Sequence, residues 1–109
     1  MTVQLLVDEL KLTVFNLDDP ERSVDGGYCG DLLSWVMGRA RSGDAWITIM
    51  SNQNVAAVAA LSDVACVILA EGVQPDPDLL KKAQTQGVNL LGTELGAYAC
   101  AGKLSGLIG

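Results

Sequence analysis

Seven consecutive apolar residues, Val64 to Ala70, stand between Asp63 and the pair Glu71-Gly72. A strand with one wet face alternates apolar and polar residues, whereas a strand covered on both faces does not. The run therefore predicts a central strand of a parallel sheet with helices packed above and below it. Such a strand needs neighbours on both edges, joined through connections long enough to hold a helix. The flanking sequence supplies both.

Val3, Leu6, Val7 and Leu10 keep the spacing of one helical face, with Thr2 placed to cap it. Leu12 to Asn16 is β-branched and aromatic enough for a first strand. Asn16 to Glu21, acidic and broken by Pro20, reads as a loop that runs into Gly26-Gly27. A second helix is predicted over about Gly30 to Arg41, ended by Ser42-Gly43. Leu32, Leu33, Val36, Met37 and Ala40 form its core stripe, and Trp35 lies at the stripe's edge. Ala45 to Met50 then reads as a strand, Ser51 to Asn54 as a polar turn, and Val55 to Leu61 as an alanine-rich helix. Beyond the apolar run, Asp76-Pro77-Asp78 marks a helix start, because proline suits the first turn and Asp complements the dipole. That helix ends at Gln86-Gly87. Val88 to Leu91 is a short strand, Gly92-Thr93 a turn and cap, and Glu94 to about Leu107 a last helix rich in glycine and alanine. The order is a helix followed by four strands alternating with helices. It specifies one α/β domain over residues 1–109, a three-layer α/β/α stack on a mostly parallel sheet of about four to five strands.

Composition excludes several classes. Half the residues are hydrophobic and 18% are charged, too apolar for a disordered chain. The apolar segment from Val55 to Ala70 is interrupted by Ser62 and Asp63, short of a membrane span, and no signal peptide is read. A cytoplasmic location is the expectation. The formal charge of −6 and seven scattered cations argue against nucleic acid, which requires clustered Lys and Arg. Histidine is absent, which removes the commonest general base and most zinc sites. Three cysteines without close spacing form neither a disulfide framework nor a metal knuckle, and Cys66 reads as a small buried hydrophobe.

The candidate site follows from topology. Ligands of parallel sheets bind outside the carboxyl ends of the strands, here the loops 17–29, 51–54, 71–76 and 92–94. Gly26 and Gly27 would offer backbone donors at the start of helix two; Ser51, Asn52 and Asn54 would supply neutral hydrogen bonds; Thr93 would close the far side. A plain turn at the glycine pair and helix capping by Ser51 or Asn52 compete with that reading. Asp18, Asp19, Glu21, Asp25 and Asp31 would repel a phosphate unless they face away or hold a cation. Asp31 is most simply a first-turn charge, and Cys29, short of an activating base, is not expected to act as a nucleophile.

Val-Asp-Gly-Gly-Tyr-Cys-Gly-Asp-Leu-Leu-Ser, Gly-Asp-Ala-Trp-Ile-Thr-Ile and Asn-Val-Ala-Ala-Val-Ala resemble the DRTGG domain family in order and over nearly the whole chain. A fainter similarity runs to the N-terminal domains of HPr kinase and of Mur ligases that bind UDP-sugars. The chain departs at the namesake motif, where Ser23 to Gly27 keeps only the glycine pair, and it carries Asn52 where related chains can have histidine. The resemblance implies a non-catalytic regulatory or ligand-sensing module attached to or serving a partner protein. It implies no bound cofactor, with a nucleotide as the candidate small polar ligand. A homodimer is expected, because the edge-placed Trp35 and the small-residue last helix leave apolar surface to cover. The alternatives are a small transferase or hydrolase using Cys29 or Asp25, and a purely structural dimerisation domain.

Overall fold

The structure is a computed structural model that describes residues 1–108. Helices α1 (Val3–Leu10), α2 (Leu33–Arg39), α3 (Asn54–Ser62), α4 (Pro77–Gln86) and α5 (Ala97–Ile108) surround a five-stranded sheet. The strands are β1 (Thr13–Asn16), β2 (Gly26–Cys29), β3 (Asp44–Thr48), β4 (Cys66–Leu69) and β5 (Leu90–Gly92), in the spatial order β1-β5-β4-β3-β2. β2, β3, β4 and β5 run parallel, and β1 joins β5 antiparallel.

The apolar run does what its composition requires. β4 is the middle strand, and Val64 to Ala70 is buried throughout. On one face Val3, Leu6, Cys100 and Leu104 of α1 and α5 cover Ala45, Ile47, Cys66 and Ile68. On the other, Val36, Val55, Leu79 and Ala83 of α2, α3 and α4 cover Trp46, Val67, Leu69 and Leu90. The three-layer α/β/α arrangement is therefore present, with a mixed, mostly parallel sheet. The helix caps are local: Thr2 Oγ1 accepts the Leu5 N–H at 3.1 Å, and Gly87, in the left-handed region, ends α4.

Four expectations change. The segment 17–29 is not one loop, because Gly26 to Cys29 forms edge strand β2. Neither Gly26 nor Gly27 has a positive φ, and a side chain at Gly27 would come within 2.8 Å of Leu104, so close packing of α5 explains that glycine. The second helix starts at Leu33 rather than Gly30, and Leu32 and Met37 are exposed instead of forming part of the stripe, as is Trp35 at its edge. The last helix begins at Ala97, because Thr93 to Gly96 is held in a turn against residues 71–72.

The antiparallel direction of β1 has a topological consequence. Its exit lies at the amino ends of the parallel strands, so the acidic loop does not border their carboxyl ends. Asn89, just before β5 and buried, ties that loop down. Its Oδ1 accepts the N–H groups of Asp18 and Asp19 at 2.8 and 2.9 Å, while its Nδ2 donates to Asp19 O at 2.9 Å and Ala65 O at 3.0 Å. Both amide heteroatoms are thus satisfied by backbone of the loop and of the segment leading into β4. Asn89→Ala should lower stability by about 2 kcal/mol or more, because it strands buried polar groups. Urea denaturation measures this, with exposed Asn54→Ala expected to shift the midpoint far less.

Candidate functional site

At the carboxyl ends the sheet is closed by its own hydrogen bonds. Asp31 follows β2 and, instead of standing in the first turn of α2, crosses to β3. Its Oδ1 accepts from Thr48 Oγ1 at 2.8 Å and from Ile49 N at 2.9 Å. Thr48 Oγ1 in turn accepts the Met50 N–H at 3.2 Å, and Trp46 Nε1 donates to Gly30 O at 2.8 Å. The exits of β2 and β3 are thereby locked together.

Four of the six candidate residues share this end of the sheet. Ser51 Oγ donates to Asp76 Oδ1 at 3.1 Å, and the Asp76 N–H returns to Ser51 O at 3.0 Å. Asn52 Oδ1 accepts the Asn54 N–H at 2.9 Å and so opens α3, while the Asn54 side chain is exposed. Thr93 Oγ1 accepts the Leu95 N–H at 3.1 Å, and its own N–H extends the ladder to Leu69 O at 2.9 Å. Ser51, Asn52 and Thr93 therefore serve their own loops.

Gly26 and Gly27 are not with them. They open β2 at the amino end, where Gly26 pairs with Asp44 and Gly27 with Ala45. Each borders both of the cavities that flank this strand. On the α5 face an apolar groove of about 310 Å³ is walled by Gly27, Cys29, Ile47, Leu104 and Ile108. On the α2 side a more polar cavity of about 400 Å³ is walled by Asp25, Gly26, Tyr28, Arg39, Arg41 and Asp44.

The polar cavity is built from defined parts. Asp44 is buried, and its Oδ2 accepts the Arg41 N–H at 2.8 Å. A methyl group on Gly26 would meet Asp44 Oδ1 at 2.8 Å, so the glycine leaves room for that carboxylate. Asp25 accepts from Ser23 Oγ at 2.9 Å, and Gly43, at φ 86°, lets its side chain lie close by. The Arg39 guanidinium sits 3.6 Å from the centre of the Trp35 ring, a cation–π contact. Among the described residues the one ion pair joins Arg22 to Asp63, so the guanidinium groups of Arg39 and Arg41 have no carboxylate partner. Sequence reading passed over both arginines because they ended a helix and stood apart from the glycines by more than ten residues.

The surroundings of the thiols raise rather than lower their pKa. Cys29 is exposed along its strand edge, yet partial burial of its sulfur, and then the Asp31 charge, push the thiol above its ordinary value. Cys66 and Cys100 are buried and pushed up to about 12 and about 11, burial being the main cause for each. Among the described residues no group of three or more His, Cys, Asp or Glu could hold a metal ion. No described helix is long and apolar enough to cross a membrane.

The model of the DRTGG domain matches residues 28–107, most of the chain. The chain belongs to the DRTGG domain family. A comparison with curated proteins gives no match. Among solved structures, this DRTGG domain superposes with a TM-score of 0.74 on the CBS and DRTGG domains of the regulatory region of Clostridium perfringens pyrophosphatase, crystallised with its activator, diadenosine tetraphosphate. Identity is 13%, and the match covers 94% of this chain and 45% of the other, so the DRTGG domain spans less than half of that structure. The family match starts at Tyr28; the glycine pair stands immediately before it.

The Cys29 environment has a measurable sign. A raised pKa means less thiolate at neutral pH than free cysteine has, and alkylation that accelerates only above the usual thiol range. Asp31→Asn removes one cause and should speed Cys29 alkylation at pH 7–8, as followed by iodoacetamide mass spectrometry. Cys66 and Cys100 should react only on unfolding.

Proposed function

We propose that this DRTGG domain is a non-catalytic regulatory module that senses a small anionic ligand of nucleotide type and acts as a homodimer on a partner protein. The observation that carries the reading is the polar cavity beside β2, where Arg39 and Arg41 stand without carboxylate partners among the described residues, next to Tyr28 and the Gly26-Gly27 backbone. Guanidinium groups and an aromatic ring match a phosphate and a base. The structurally similar regulatory region, crystallised with its activator diadenosine tetraphosphate, points the same way.

An enzymatic reading has less support. Cys29 is held as a thiol and Asp25 is bonded to Ser23, with no histidine in the chain to serve either as base. A ligand bound at the carboxyl ends by Ser51, Asn52, Asn54 and Thr93 would have to displace the loop hydrogen bonds that three of these residues make.

Calorimetric titration with nucleotides, dinucleoside polyphosphates and nucleotide sugars, with and without magnesium, tests the proposal. A ligand is expected to bind below millimolar concentration. Replacing both Arg39 and Arg41 by alanine should weaken it at least tenfold, because a charge-assisted hydrogen bond contributes about 1.5–3 kcal/mol. Asn54→Ala should leave affinity unchanged. Loss of binding in Asn54→Ala alone would move the site to the carboxyl ends, and absence of binding by every compound would leave a structural dimerisation domain.

A further inference from the structure

We propose that the polar cavity beside β2 takes a ribonucleotide, and that the buried carboxylate of Asp44 selects it by accepting a hydrogen bond from a ribose hydroxyl while Arg39 and Arg41 hold its phosphate. The inference rests on the ligand-sensing reading of that cavity and names what sets its specificity.

Asp44 is the one buried residue with a charged side chain among the described residues, and it is 8% exposed. Its Oδ2 accepts the Arg41 N–H at 2.8 Å, and none of the described residues donates to Oδ1. A carboxylate oxygen that has lost most of its water and has no donor is costly. The cost is relieved only if the oxygen reaches something outside the chain. Ser62 Oγ is the one fully enclosed polar side-chain atom without a partner among the described residues, so Asp44 Oδ1 is not sealed in. It opens to the cavity that Asp44 lines. Gly26 keeps the space beside it clear, because a methyl group there would meet Oδ1 at 2.8 Å. A carboxylate accepts and cannot donate, so the group that completes Oδ1 must be a donor.

The other charges of the cavity say what must accompany that donor. Arg39 and Arg41 donate only, while Asp25 accepts only and has one oxygen engaged by Ser23 Oγ. Ser42 Oγ is already given to Asp63. No ion pair joins these guanidinium groups to Asp25 or Asp44 among the described residues, so charges of both signs face one space without neutralising each other. Bare polyphosphate would satisfy the arginines and be repelled by the two carboxylates; a cation would do the reverse. A ribonucleotide brings both complements, phosphate oxygens that accept and ribose hydroxyls that donate. The spacing agrees. The bond from the Arg41 N–H holds Asp44 within one arginine side chain of the Arg41 guanidinium. Ribose hydroxyls lie at a comparable reach from their own 5′-phosphate, whereas an amino group of the base lies beyond the sugar.

Calorimetric titration of wild type with the four common ribonucleoside triphosphates, their 2′,3′-dideoxy counterparts and inorganic tripolyphosphate tests this. At least one ribonucleotide should bind about tenfold or more tighter than its dideoxy counterpart and than tripolyphosphate, because a site built for a hydroxyl leaves a buried group unpaired when the hydroxyl is missing. Asp44→Asn keeps an oxygen for the Arg41 N–H and turns a donor toward the cavity. It should abolish the preference for ribose and leave tripolyphosphate bound as before or tighter. Should Asp44→Asn fail to fold, the wild-type comparison decides by itself. Equal affinity for ribonucleotide and dideoxynucleotide, or a ribose preference that survives Asp44→Asn, overturns the role of Asp44 and leaves the ligand-sensing reading standing. Failure of every ribonucleotide to bind overturns this inference. The ligand-sensing reading falls with it only if dinucleoside polyphosphates and nucleotide sugars fail as well.

Discussion

Burial of β4 on both faces governs this molecule. A central strand without a polar side chain cannot contact water, so its neighbours and both helical layers must be in place together. Trp46, Ile47, Ile68, Leu69, Leu90 and Leu91 are fully or almost fully buried, and they lie on three adjacent strands. Two apolar clusters of similar size meet across that sheet, one beneath α1 and α5 and one beneath α2, α3 and α4. Removing either layer would expose half of the side chains of the same three strands. The clustering leaves the extremes of the sheet, β1 and β2, as the places where the chain can vary and where function can be built.

This division explains which features sequence reading caught. Continuous apolar runs and cap residues act locally, so β3, β4, α3 and α4 were legible from Ala45 to Gln86 to within about two residues at most boundaries. β2 was not. Gly-Gly-Tyr-Cys has poor strand propensity and reads as a turn, and only pairing with β3 and the seating of Leu104 over Gly27 make it extended. The direction of β1 was equally hidden, since a four-residue strand has no local mark of polarity relative to its partner. Its antiparallel course moves the acidic loop to the opposite end of the sheet from where a parallel strand would have sent it.

The candidate site divided for the same reason. Ser51, Asn52 and Thr93 were recognised as hydrogen-bonding residues at strand exits, and that is where they stand. What sequence cannot express is whether a polar side chain faces a ligand or its own backbone, and here short loops place backbone donors within 3.1 Å of Asn52 and Thr93 oxygens. Asp31 shows the competition sharply. It stands where a first-turn charge of the second helix is expected, yet α2 starts only at Leu33 and the carboxylate accepts from the Thr48 hydroxyl of β3 and from the Ile49 N–H just past that strand. Arg39 and Arg41 reach the glycine pair only because α2 runs back along β2, a tertiary fact with no signature in spacing.

An edge strand that also walls a cavity would couple ligand binding there to pairing along its edge if the domain does both. Gly26 contributes to the cavity on one side and to the strand's free edge on the other. A ligand held by Arg39 and Arg41 therefore touches the same four-residue element that a second copy would extend. If pairing of two copies orders β2, the paired state binds a ligand at that cavity more tightly than the single chain does. Linkage then requires the ligand to strengthen pairing by the same factor. That reciprocity needs no moving domain and no catalytic group. It needs only a short strand weak enough to be improved by a partner, and the two glycines that hid β2 from sequence reading supply that weakness.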